Sequence, residues 1–336
     1  MSDWLYSGHD PMNLGELLSL FAHKKVLVIG DITLDAYIRG KATELSTEAP
    51  VPEILVQEEE YQIGGAANLA NNIVSMGGTP TLVGVIGNDE SGEYVRAQIK
   101  DKHLDVSGLF VVKDRPTTTT TRILVGSHHV ARIQKERTDD VAGETEANIS
   151  QFVHQNIDKS DALIYSDHNK GVMTGSIIEG STRLARENKK PVIADPSYRR
   201  FFDYVGVDAF KPIDKEAAIM TGIRLINESS LRNMCIKLLT QLDCEQVLIT
   251  SAEYGTVSLE KNGNFTHLGP EIRAFYDVTG EGDASTAAFS LALASNATKK
   301  DATIISNVAT QIKLAKIGTS VVTIDELRAK ITEMSR

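Results

Sequence analysis

Two patterns of apolar residues alternate along the chain. Short runs of β-branched and aliphatic residues predict buried strands at 25–30, 79–86, 162–166, 191–194, 246–250 and 255–259. Apolar residues that recur every three or four positions predict helices at 66–76, 94–102, 147–157, 175–187, 229–242, 284–294, 300–317 and 324–334. This alternation predicts an α/β fold, in which helices cover both faces of a mostly parallel sheet. Ligands bind such a sheet at the carboxyl ends of its strands.

Two stretches, 37–62 and 116–134, interrupt the alternation. Each reads as extended, because Pro-Val-Pro-Glu-Ile-Leu-Val lies in the first and a threonine run leading into Arg-Ile-Leu-Val lies in the second. We expect them to form a small β-sheet lid on the α/β body. His128 and His129 would lie in a solvated hairpin turn of this lid, since the sequence offers them no partners for a metal site. No repeat or linker divides the chain, so 1–336 is predicted to be one domain.

Composition and charge narrow the classes of function. With 336 residues, 41% of them hydrophobic, the chain can bury a full core. A net charge of −10 argues against a nucleic-acid-binding protein, and an anionic substrate would need a local positive site. Cys235 and Cys244 form neither a zinc pattern nor a disulfide framework, which predicts buried free thiols. The start of the chain lacks a signal-peptide pattern and no apolar run could span a bilayer, so we expect a cytoplasmic protein.

The stretch Asp277-Val-Thr-Gly-Glu-Gly-Asp283 precedes a predicted helix of small residues. A glycine turn that leads into a helix exposes backbone N–H groups at the positive end of the helix dipole, where an anion is stabilised. An acid at the mouth of such a cradle would repel a phosphate that is merely bound. Asp283 suits a general base better, with the cradle neutralising the group that is transferred. The alternative is that Asp283 only caps the helix that follows it.

A second glycine motif, Gly64-Gly-Ala-Ala-Asn68, opens another predicted helix, and paired glycines let the backbone approach a ligand closely. Upstream, Gly30-Asp-Ile-Thr-Leu-Asp35 places two acids at the carboxyl end of the first predicted strand. Carboxylates at that position suit contacts with sugar hydroxyls. Each motif is weak alone, but the three motifs are specific together, in this order and at these distances.

In these motifs the sequence resembles the ribokinase-like sugar kinases, also called the phosphofructokinase-B family, from about residue 24 to about residue 323. The stretches that carry the resemblance are GDITLDAYIRG, LSTEAPVPEI, GGAANLANNI, PTTTTTRIL, YSDHNKGV, DVTGEGD and KIGTSVVT. Ser46-Thr-Glu-Ala-Pro-Val-Pro52 makes the chain most similar to the heptose 7-phosphate kinases of the ADP-heptose route to lipopolysaccharide. The resemblance implies a ribokinase-like three-layer fold and a homodimer in which the lid packs against a second copy.

The resemblance also implies a reaction. It implies transfer of a phosphoryl group from ATP, with Mg²⁺, to the anomeric hydroxyl of D-glycero-β-D-manno-heptose 7-phosphate, which gives the 1,7-bisphosphate. Asp283 matches the base of the family, and the backbone of Gly280, Glu281 and Gly282 matches its anion hole. Since the heptose kinases are often joined to a nucleotidyltransferase domain whose His-x-Gly-His motif this sequence lacks, we expect a separate protein to carry adenylyl transfer.

Other positions match binding sites of the family. Asp35, Gly65 and Asn68 match sugar-binding positions, whereas Asp167 and Lys170 match a segment near the transferred group. Thr250 and Gly255 match the family's nucleotide loop, and Asn307 matches its adenine pocket. Glu216 matches the acid that holds Mg²⁺ through water. Asp277 and Thr279 match a monovalent-cation (K⁺) site. Candidates to bind the substrate's own phosphate are Arg122, Arg132 and either Arg199 or Arg200, each of which could equally form a surface ion pair.

Several departures from the family lie near the expected phosphates. The family has arginine at the positions of Glu44 and Ser251, lysine at Ser197, asparagine at Ile213 and alanine at Glu281. Lys211 and Lys215 are nearby cations that could replace part of the lost positive charge. We expect the Glu281 side chain to point away from the anion hole, toward solvent or a lysine, because a carboxylate inside it would repel phosphate. Two alternatives stay open: a weakened kinase fold that binds a sugar phosphate or nucleotide, and an active kinase for another sugar.

Overall fold

A nine-stranded sheet lies at the centre of the part of the chain that the structure, a computed structural model, describes: residues 11–126, 128–251, 253–270, 280–316 and 320–334. Its strands are β1 (Lys25–Gly30), β4 (Thr79–Gly87), β5 (Leu109–Val112), β8 (Ala162–Ser166), β9 (Val192–Asp195), β10 (Ala209–Phe210), β11 (Gln246–Ser251), β12 (Gly255–Glu260) and β13 (Phe265–Leu268). They lie in the order β13-β12-β11-β10-β9-β8-β1-β4-β5. All neighbours pair in parallel except β12, which is antiparallel to both β11 and β13.

Helices cover both faces of this sheet. One face carries α1 (Pro11–Ser19), α2 (Ala66–Ser75), α3 (Glu90–Asp101), α8 (Glu281–Ala294), α9 (Lys299–Leu314) and α10 (Ile324–Met334), and the other carries α4 (Glu144–Asn156), α5 (Gly175–Glu187), α6 (Asp214–Thr221) and α7 (Glu228–Leu242). The central strands are continuous apolar runs because both of their faces are covered. In β1, for example, every residue from Val26 to Ile29 is fully buried. The predicted three-layer arrangement is confirmed.

A second, four-stranded sheet contains both interrupting stretches. Its strands are β2 (Ile32–Leu45), β3 (Pro52–Gly65), β6 (Thr118–Val125) and β7 (His128–Lys135), in the order β3-β2-β6-β7. Strand β2 starts two residues after β1 ends, and β3 leads directly into α2. The small sheet is therefore joined to the body at the carboxyl edge of the large sheet. His128 and His129 are the first two residues of β7, and both are exposed.

The helix α8 is buried on all sides. Every side chain from Asp283 to Ala292 is buried, because this helix lies between α2, α9 and the large sheet. A helix buried on all sides carries apolar or small residues around its whole circumference, which explains why the sequence of α8 shows no amphipathic period. The two cysteines are also fully buried and unpaired, as predicted.

The predicted elements of the body are all present, with ends that shift by a few residues. The apolar pattern missed α1, β5, β10, α6 and β13. Of these, β10 has two residues, and α6 has little apolar periodicity along Asp-Lys-Glu-Ala-Ala-Ile-Met-Thr. Among the helices in the described ranges, none is both long and apolar enough to cross a bilayer.

Candidate active site

Five strands of the large sheet, β1, β8, β9, β10 and β11, end at the same edge. Each has a polar side chain at or just beyond its carboxyl end: Asp31, Asp167, Asp195, Lys211 and Ser251, respectively. Parallel pairing forces these side chains to one edge, where α/β proteins bind their ligands. The start of α8 and the start of α2 lie at this edge as well, so both glycine motifs meet there.

Asp283 contacts Asn68 across this edge. Nδ2 of Asn68, in the first turn of α2, donates a hydrogen bond of 2.6 Å to Oδ2 of Asp283, in the first turn of α8. Both helices begin after a glycine with positive φ, Gly65 at 57° and Gly280 at 74°. A side chain at Gly280 would place its Cβ 2.8 Å from Nδ2 of Asn68, so the contact requires glycine there. The Asp283 carboxylate is thus engaged by another helix, and a role confined to capping α8 does not describe it.

The environment of Asp283 opposes its ionisation. Burial raises the pKa of the Asp283 carboxyl above its ordinary value, and the charges of Asp195 and Asp35 add to that effect. The positive charge of His168 and the hydrogen bond from Asn68 act in the opposite direction. A carboxylate with a raised pKa is a stronger base once it is ionised, which is the property that proton abstraction from a hydroxyl requires.

His168 is a feature of the site that the sequence patterns did not single out. Its Nε2 lies 3.1 Å from Oγ of Ser166, and its ring lies near Gly65. Burial lowers the pKa of His168, but the surrounding carboxylates raise it by more, so the net shift is upward; these carboxylates are Asp283, Asp31, Asp195 and Asp167. The available signal was a lone histidine directly after an acid at a strand end, within Ser-Asp-His-Asn-Lys-Gly.

The two acids that follow β1 have different tasks. Asp31 is fully buried, and its carboxylate accepts hydrogen bonds from the backbone N–H groups of His168 at 2.8 Å, Lys170 at 2.9 Å and Val172 at 3.0 Å. Asp31 therefore holds the loop after β8, and its complete burial keeps it out of reach of a sugar. The expectation that both acids suit sugar hydroxyls is wrong for Asp31. Asp35, in β2, lies beside Gly64, whose position leaves no room for a Cβ.

Asp35 is paired with a candidate phosphate-binding arginine. Nη1 of Arg122 lies 2.5 Å from Oδ1 of Asp35, and its guanidinium lies 5.2 Å from the centroid of the Tyr37 ring. Arg132 is directly opposite Arg122 in the β6–β7 pair and is exposed. The small sheet thus presents an acid and two arginines beside the carboxyl edge of the large sheet.

Other candidates have partners within the protein. Both oxygens of the Asp167 carboxylate accept hydrogen bonds, from Tyr204 Oη at 2.7 Å and from Asn169 N–H at 2.8 Å. Nζ of Lys170 lies 2.6 Å from Glu136. Both arginines of the Arg199–Arg200 pair contact Asp140, at 3.1 Å and 2.5 Å respectively. The sequence left open whether these two arginines bind the substrate's phosphate or form a surface ion pair. In the structure both form ion pairs with Asp140.

The predicted nucleotide residues lie around the far end of the edge. Thr250 is buried at the end of β11, and Gly255 opens β12 with a φ of 77°, where a Cβ would overlap the backbone near Leu268. Asn307 of α9 accepts a hydrogen bond of 2.9 Å from Thr256 Oγ1, while its buried Nδ2 has no partner in the described part of the chain. An orphaned amide N–H is a donor that a purine ring nitrogen could use. Asp277 and Thr279, predicted for a monovalent cation, lie outside the described residues.

Glu216, the predicted Mg²⁺ ligand, is buried in the first turn of α6. Its Oε2 accepts a hydrogen bond of 3.1 Å from the Ile213 N–H at the start of α6. Burial, followed by the charge of Asp195, raises the pKa of Glu216 to about 7 despite that bond. The described residues contain no group of three or more His, Cys, Asp or Glu side chains that could hold a metal. Since Mg²⁺ is usually held by one or two carboxylates plus substrate phosphates, a single partly satisfied carboxylate fits it.

Two buried lysines flank the start of α8. Lys211, just after β10, and Lys313, in α9, are both fully buried. The Cε of Lys313 lies 3.7 Å from the point where a Cβ of Gly280 would be. Burial raises the pKa of the half-buried Glu281, and the charges of Lys211 and Lys313 lower it against that effect. Glu281 thus lies within the electrostatic reach of both lysines.

Comparison with known proteins places this geometry in a family. The model of the pfkB family of carbohydrate kinases matches residues 23–326. The chain belongs to this family. The expectation of an ATP-dependent sugar kinase is confirmed at the level of this pfkB family.

Relatives and solved structures agree with the pfkB assignment. The chain is 36% identical over 307 residues to the bifunctional protein HldE of Geobacter metallireducens, and 33% identical over 303 residues to that of Helicobacter hepaticus. Each match covers 90% of this chain and 63% of the relative, so the chain spans less than two thirds of those proteins. Phosphofructokinase-2 from Escherichia coli and ribokinase from Arabidopsis thaliana, the latter solved with ribose and ATP, superpose with TM-scores of 0.75 and 0.71. Their identities are 15% and 16%, with 93% of this chain and 99% and 98% of theirs covered, which confirms the ribokinase-like fold.

Proposed function

We propose that this chain transfers the terminal phosphate of ATP to the anomeric hydroxyl of D-glycero-β-D-manno-heptose 7-phosphate and releases ADP and the 1,7-bisphosphate. Membership of the pfkB family supports the reaction class. The choice of sugar rests on the resemblance to heptose 7-phosphate kinases, carried most narrowly by Ser46-Thr-Glu-Ala-Pro-Val-Pro52, and on the identity to HldE proteins. The product would enter the ADP-heptose route.

The observation that carries the proposal is the Asn68–Asp283 contact at the start of α8. Asp283 would accept the proton of the anomeric hydroxyl as that oxygen attacks the terminal phosphorus. Asn68 would hold Asp283 in place and, through its buried Oδ1, which has no partner among the described residues, accept a hydrogen bond from a sugar hydroxyl. The backbone N–H groups of Gly280, Glu281 and Gly282 would neutralise charge on the transferred group, helped by the dipole of α8.

Residues around this contact would hold the two substrates. Asp35 and Gly65 would bind the sugar, with Arg122 and Arg132 toward its phosphate, and Lys170 and Asp167 would position the loop near the transferred group. Thr250, Gly255 and Asn307 would bind the nucleotide. Mg²⁺, bound through water to Glu216, would neutralise charge on the ATP phosphates. Asp277 and Thr279 are proposed to hold a monovalent cation.

A second candidate function is a weakened kinase fold that binds a sugar phosphate or nucleotide. The ion pairs at the edge favour it, because Arg122, Lys170 and Arg200 already contact acids that a substrate phosphate would have to displace. The family has an asparagine at the position of Ile213 and an arginine at that of Ser251, so this chain lacks both groups near the expected phosphates. The Ser251 Oγ donates a hydrogen bond of 2.6 Å to Asp214.

One experiment separates these functions. The purified protein is mixed with ATP and Mg²⁺ and with heptose 7-phosphate, hexose 6-phosphates or unphosphorylated sugars, and ADP release is followed with ³¹P spectra of the product. Fast ADP release with the heptose phosphate and a new anomeric phosphate signal are expected. Faster turnover of another sugar would replace the proposed substrate. Thermal stabilisation by these ligands without ADP release would leave the binding function.

We also propose that the small sheet is the lid of a single kinase domain and joins two copies of the chain. Large apolar side chains of this sheet and its connections are exposed, among them Leu55 at 68%, Leu45 at 67% and Ile133 at 54%. An exposed apolar sheet with open edges favours association, and closed dimers are the commonest way to cover such a surface.

A further inference from the structure

A polar cavity of about 490 Å³ lies where the small sheet meets the body of the molecule. Its walls come from the C-terminal part of β3, from the helices α2 and α3, and from the segment 320–323 that leads into α10. Small-molecule sites in proteins have volumes of roughly 300–1,000 Å³, so the cavity is large enough for a small phosphorylated polyol.

The wall of this cavity carries positive charge. Lys102, at the C-terminal end of α3, and Lys316, just after α9, both line it, and none of its described wall residues is acidic. The whole chain has 45 acidic and 35 basic residues, so a wall with two lysines and no acid departs from the average charge of the protein. Lys316 is paired with Glu326 at 2.6 Å, whereas Lys102 forms no ion pair within the described part of the chain.

Three side chains of the wall have unused hydrogen-bonding groups. Asn71 of α2, Gln98 of α3 and Lys102 are half-buried, and none of their side chains bonds to another residue in the described ranges. Gln98 and Lys102 are four positions apart, which places them on the same side of α3. The amides can bind hydroxyl groups and the ammonium can bind a phosphate, so these groups are complementary to a phosphorylated polyol.

We infer that this cavity binds a small phosphorylated polyol, with Lys102 and Lys316 on its phosphate and Asn71 and Gln98 on its hydroxyl groups. The cavity is distinct from the proposed sugar site. Of the residues proposed to bind the sugar, only Asn68 also belongs to the described wall of the cavity.

The position of the cavity links it to sugar binding. Gln62, in its wall, is directly opposite Asp35 in the β2–β3 pair. The segment 320–323 is fastened to α2, because the Val322 N–H donates a hydrogen bond of 3.0 Å to Oδ1 of Asn72. A ligand that contacts α3, this segment and the end of β3 would stabilise one orientation of the small sheet and of Asp35. We therefore expect the bound ligand to strengthen sugar binding.

The test is a calorimetric titration of glycerol 3-phosphate into the wild type and three variants. Lys102→Met should weaken binding by about tenfold or more, because one of the two ammonium groups is lost. Lys100→Met is the matched control, since Lys100 is exposed in the last turn of the same helix, and it should keep the wild-type affinity. Arg122→Met, which alters the proposed sugar site, should keep it as well. Glycerol, which lacks the phosphate, should not bind.

Two results would overturn the inference. One is equal affinity of the wild type and Lys102→Met for glycerol 3-phosphate, or no binding to the wild type. The other is binding that Arg122→Met weakens and Lys102→Met does not, which would place the phosphate in the sugar site. Gln98→Leu is the second variant if Lys102→Met does not fold, and it should weaken binding about threefold.

A kinetic measurement tests the link to sugar binding, and this step rests on the proposed function. Glycerol 3-phosphate should lower the KM for the sugar about threefold in the wild type, without changing kcat, and should leave the KM of Lys102→Met unchanged. An unchanged KM in the wild type would refute the link and retain the binding site. Because the titration needs no turnover, it stays decisive for the binding site even if the protein phosphorylates no sugar.

Discussion

At the scale of single residues, Asp283 combines burial with one strong contact, and its replacement separates chemistry from binding. Asp283→Asn keeps the size of the side chain and removes the base. Turnover should fall by at least ~10², with sugar and ATP affinities little changed, as measured by ADP release and titration. Asp325→Asn is the control, because Asp325 is also an acid in the first turn of a helix but is exposed. This variant should keep the wild-type turnover and affinities. Turnover of Asp283→Asn within about threefold of the wild type would remove Asp283 from the mechanism.

His168 should set the pH at which Asp283 becomes active. Its positive charge lowers the pKa of Asp283, which burial raises. His168→Gln removes that charge, so the pKa of Asp283 should rise and the acid limb of kcat/KM should move to higher pH. At alkaline pH, where Asp283 is ionised in both proteins, the kcat/KM of the variant should stay close to that of the wild type.

A pH profile of kcat/KM, measured with the sugar substrate well below its KM, checks this expectation, and the exposed His154→Gln serves as the control. A purely structural role of His168 would lower kcat/KM at every pH without moving the limb, and that result would count against the electrostatic role.

At the scale of elements, the loop between β8 and α5 depends on Asp31. Three backbone N–H groups of this loop donate to one buried carboxylate, so Asp31→Ala leaves all three without an acceptor. The free energy of unfolding should fall by about 3 kcal/mol, because each orphaned donor in a partly buried site is costly. Urea denaturation followed by circular dichroism measures the change.

Asp161→Ala is the matched control at the opposite end of β1. Its carboxylate accepts one backbone N–H, that of Lys25, at 2.8 Å. The loss there should be about 1 kcal/mol. Equal losses in the two variants would show that the three bonds to Asp31 do not act as described.

The apolar pattern predicted the elements that have long buried faces, and it failed where other forces form an element. Strand β10 has two residues, held between β9 and β11 by parallel pairing that a local pattern does not reveal. Helix α6 is started by a hydrogen bond from the Ile213 backbone to Glu216. In the small sheet the extended stretches were found, but the strand order depends on contacts between distant segments.

The site was predictable where a motif is continuous in sequence. The two glycine motifs identified Asn68 and Asp283 as candidate site residues. Their contact could not be predicted from the sequence, because 215 positions separate the two residues and only the folded chain brings them together. The difference between Asp31, which binds the loop after β8, and Asp35, which lies in the small sheet, could not be predicted either. It depends on a contact between that loop and the end of β1, and no local sequence pattern indicates this contact. Lys313 shows the limit clearly: a lysine within an apolar helix reads as a surface residue until α9 is seen to bury it.

At the scale of the whole molecule, the exposed apolar side chains of the small sheet predict a dimer. Light scattering at micromolar concentration should give twice the mass of one chain. Leu55→Glu, in β3, should shift the mass toward one chain, because a charge buried in an apolar interface is unfavourable.

The control for the dimer is Ile219→Glu. Ile219, in α6, is exposed to 65%, close to the 68% of Leu55, but lies on the body. Its variant should keep the mass of the dimer. A wild-type mass of one chain, or a dimer that Ile219→Glu dissociates and Leu55→Glu does not, would contradict an interface through the small sheet.

The complete burial of α8 has a consequence for how this protein could evolve. Larger side chains there would overpack the centre of the molecule, so the small residues from Ala284 to Ala292 are required for folding whether or not phosphate is transferred. A descendant that lost its activity would keep those small residues and would be free to lose Asp283. In a newly determined sequence, the small residues of this helix therefore indicate only common ancestry, whereas the acid in its first turn indicates that the chemistry is still under selection.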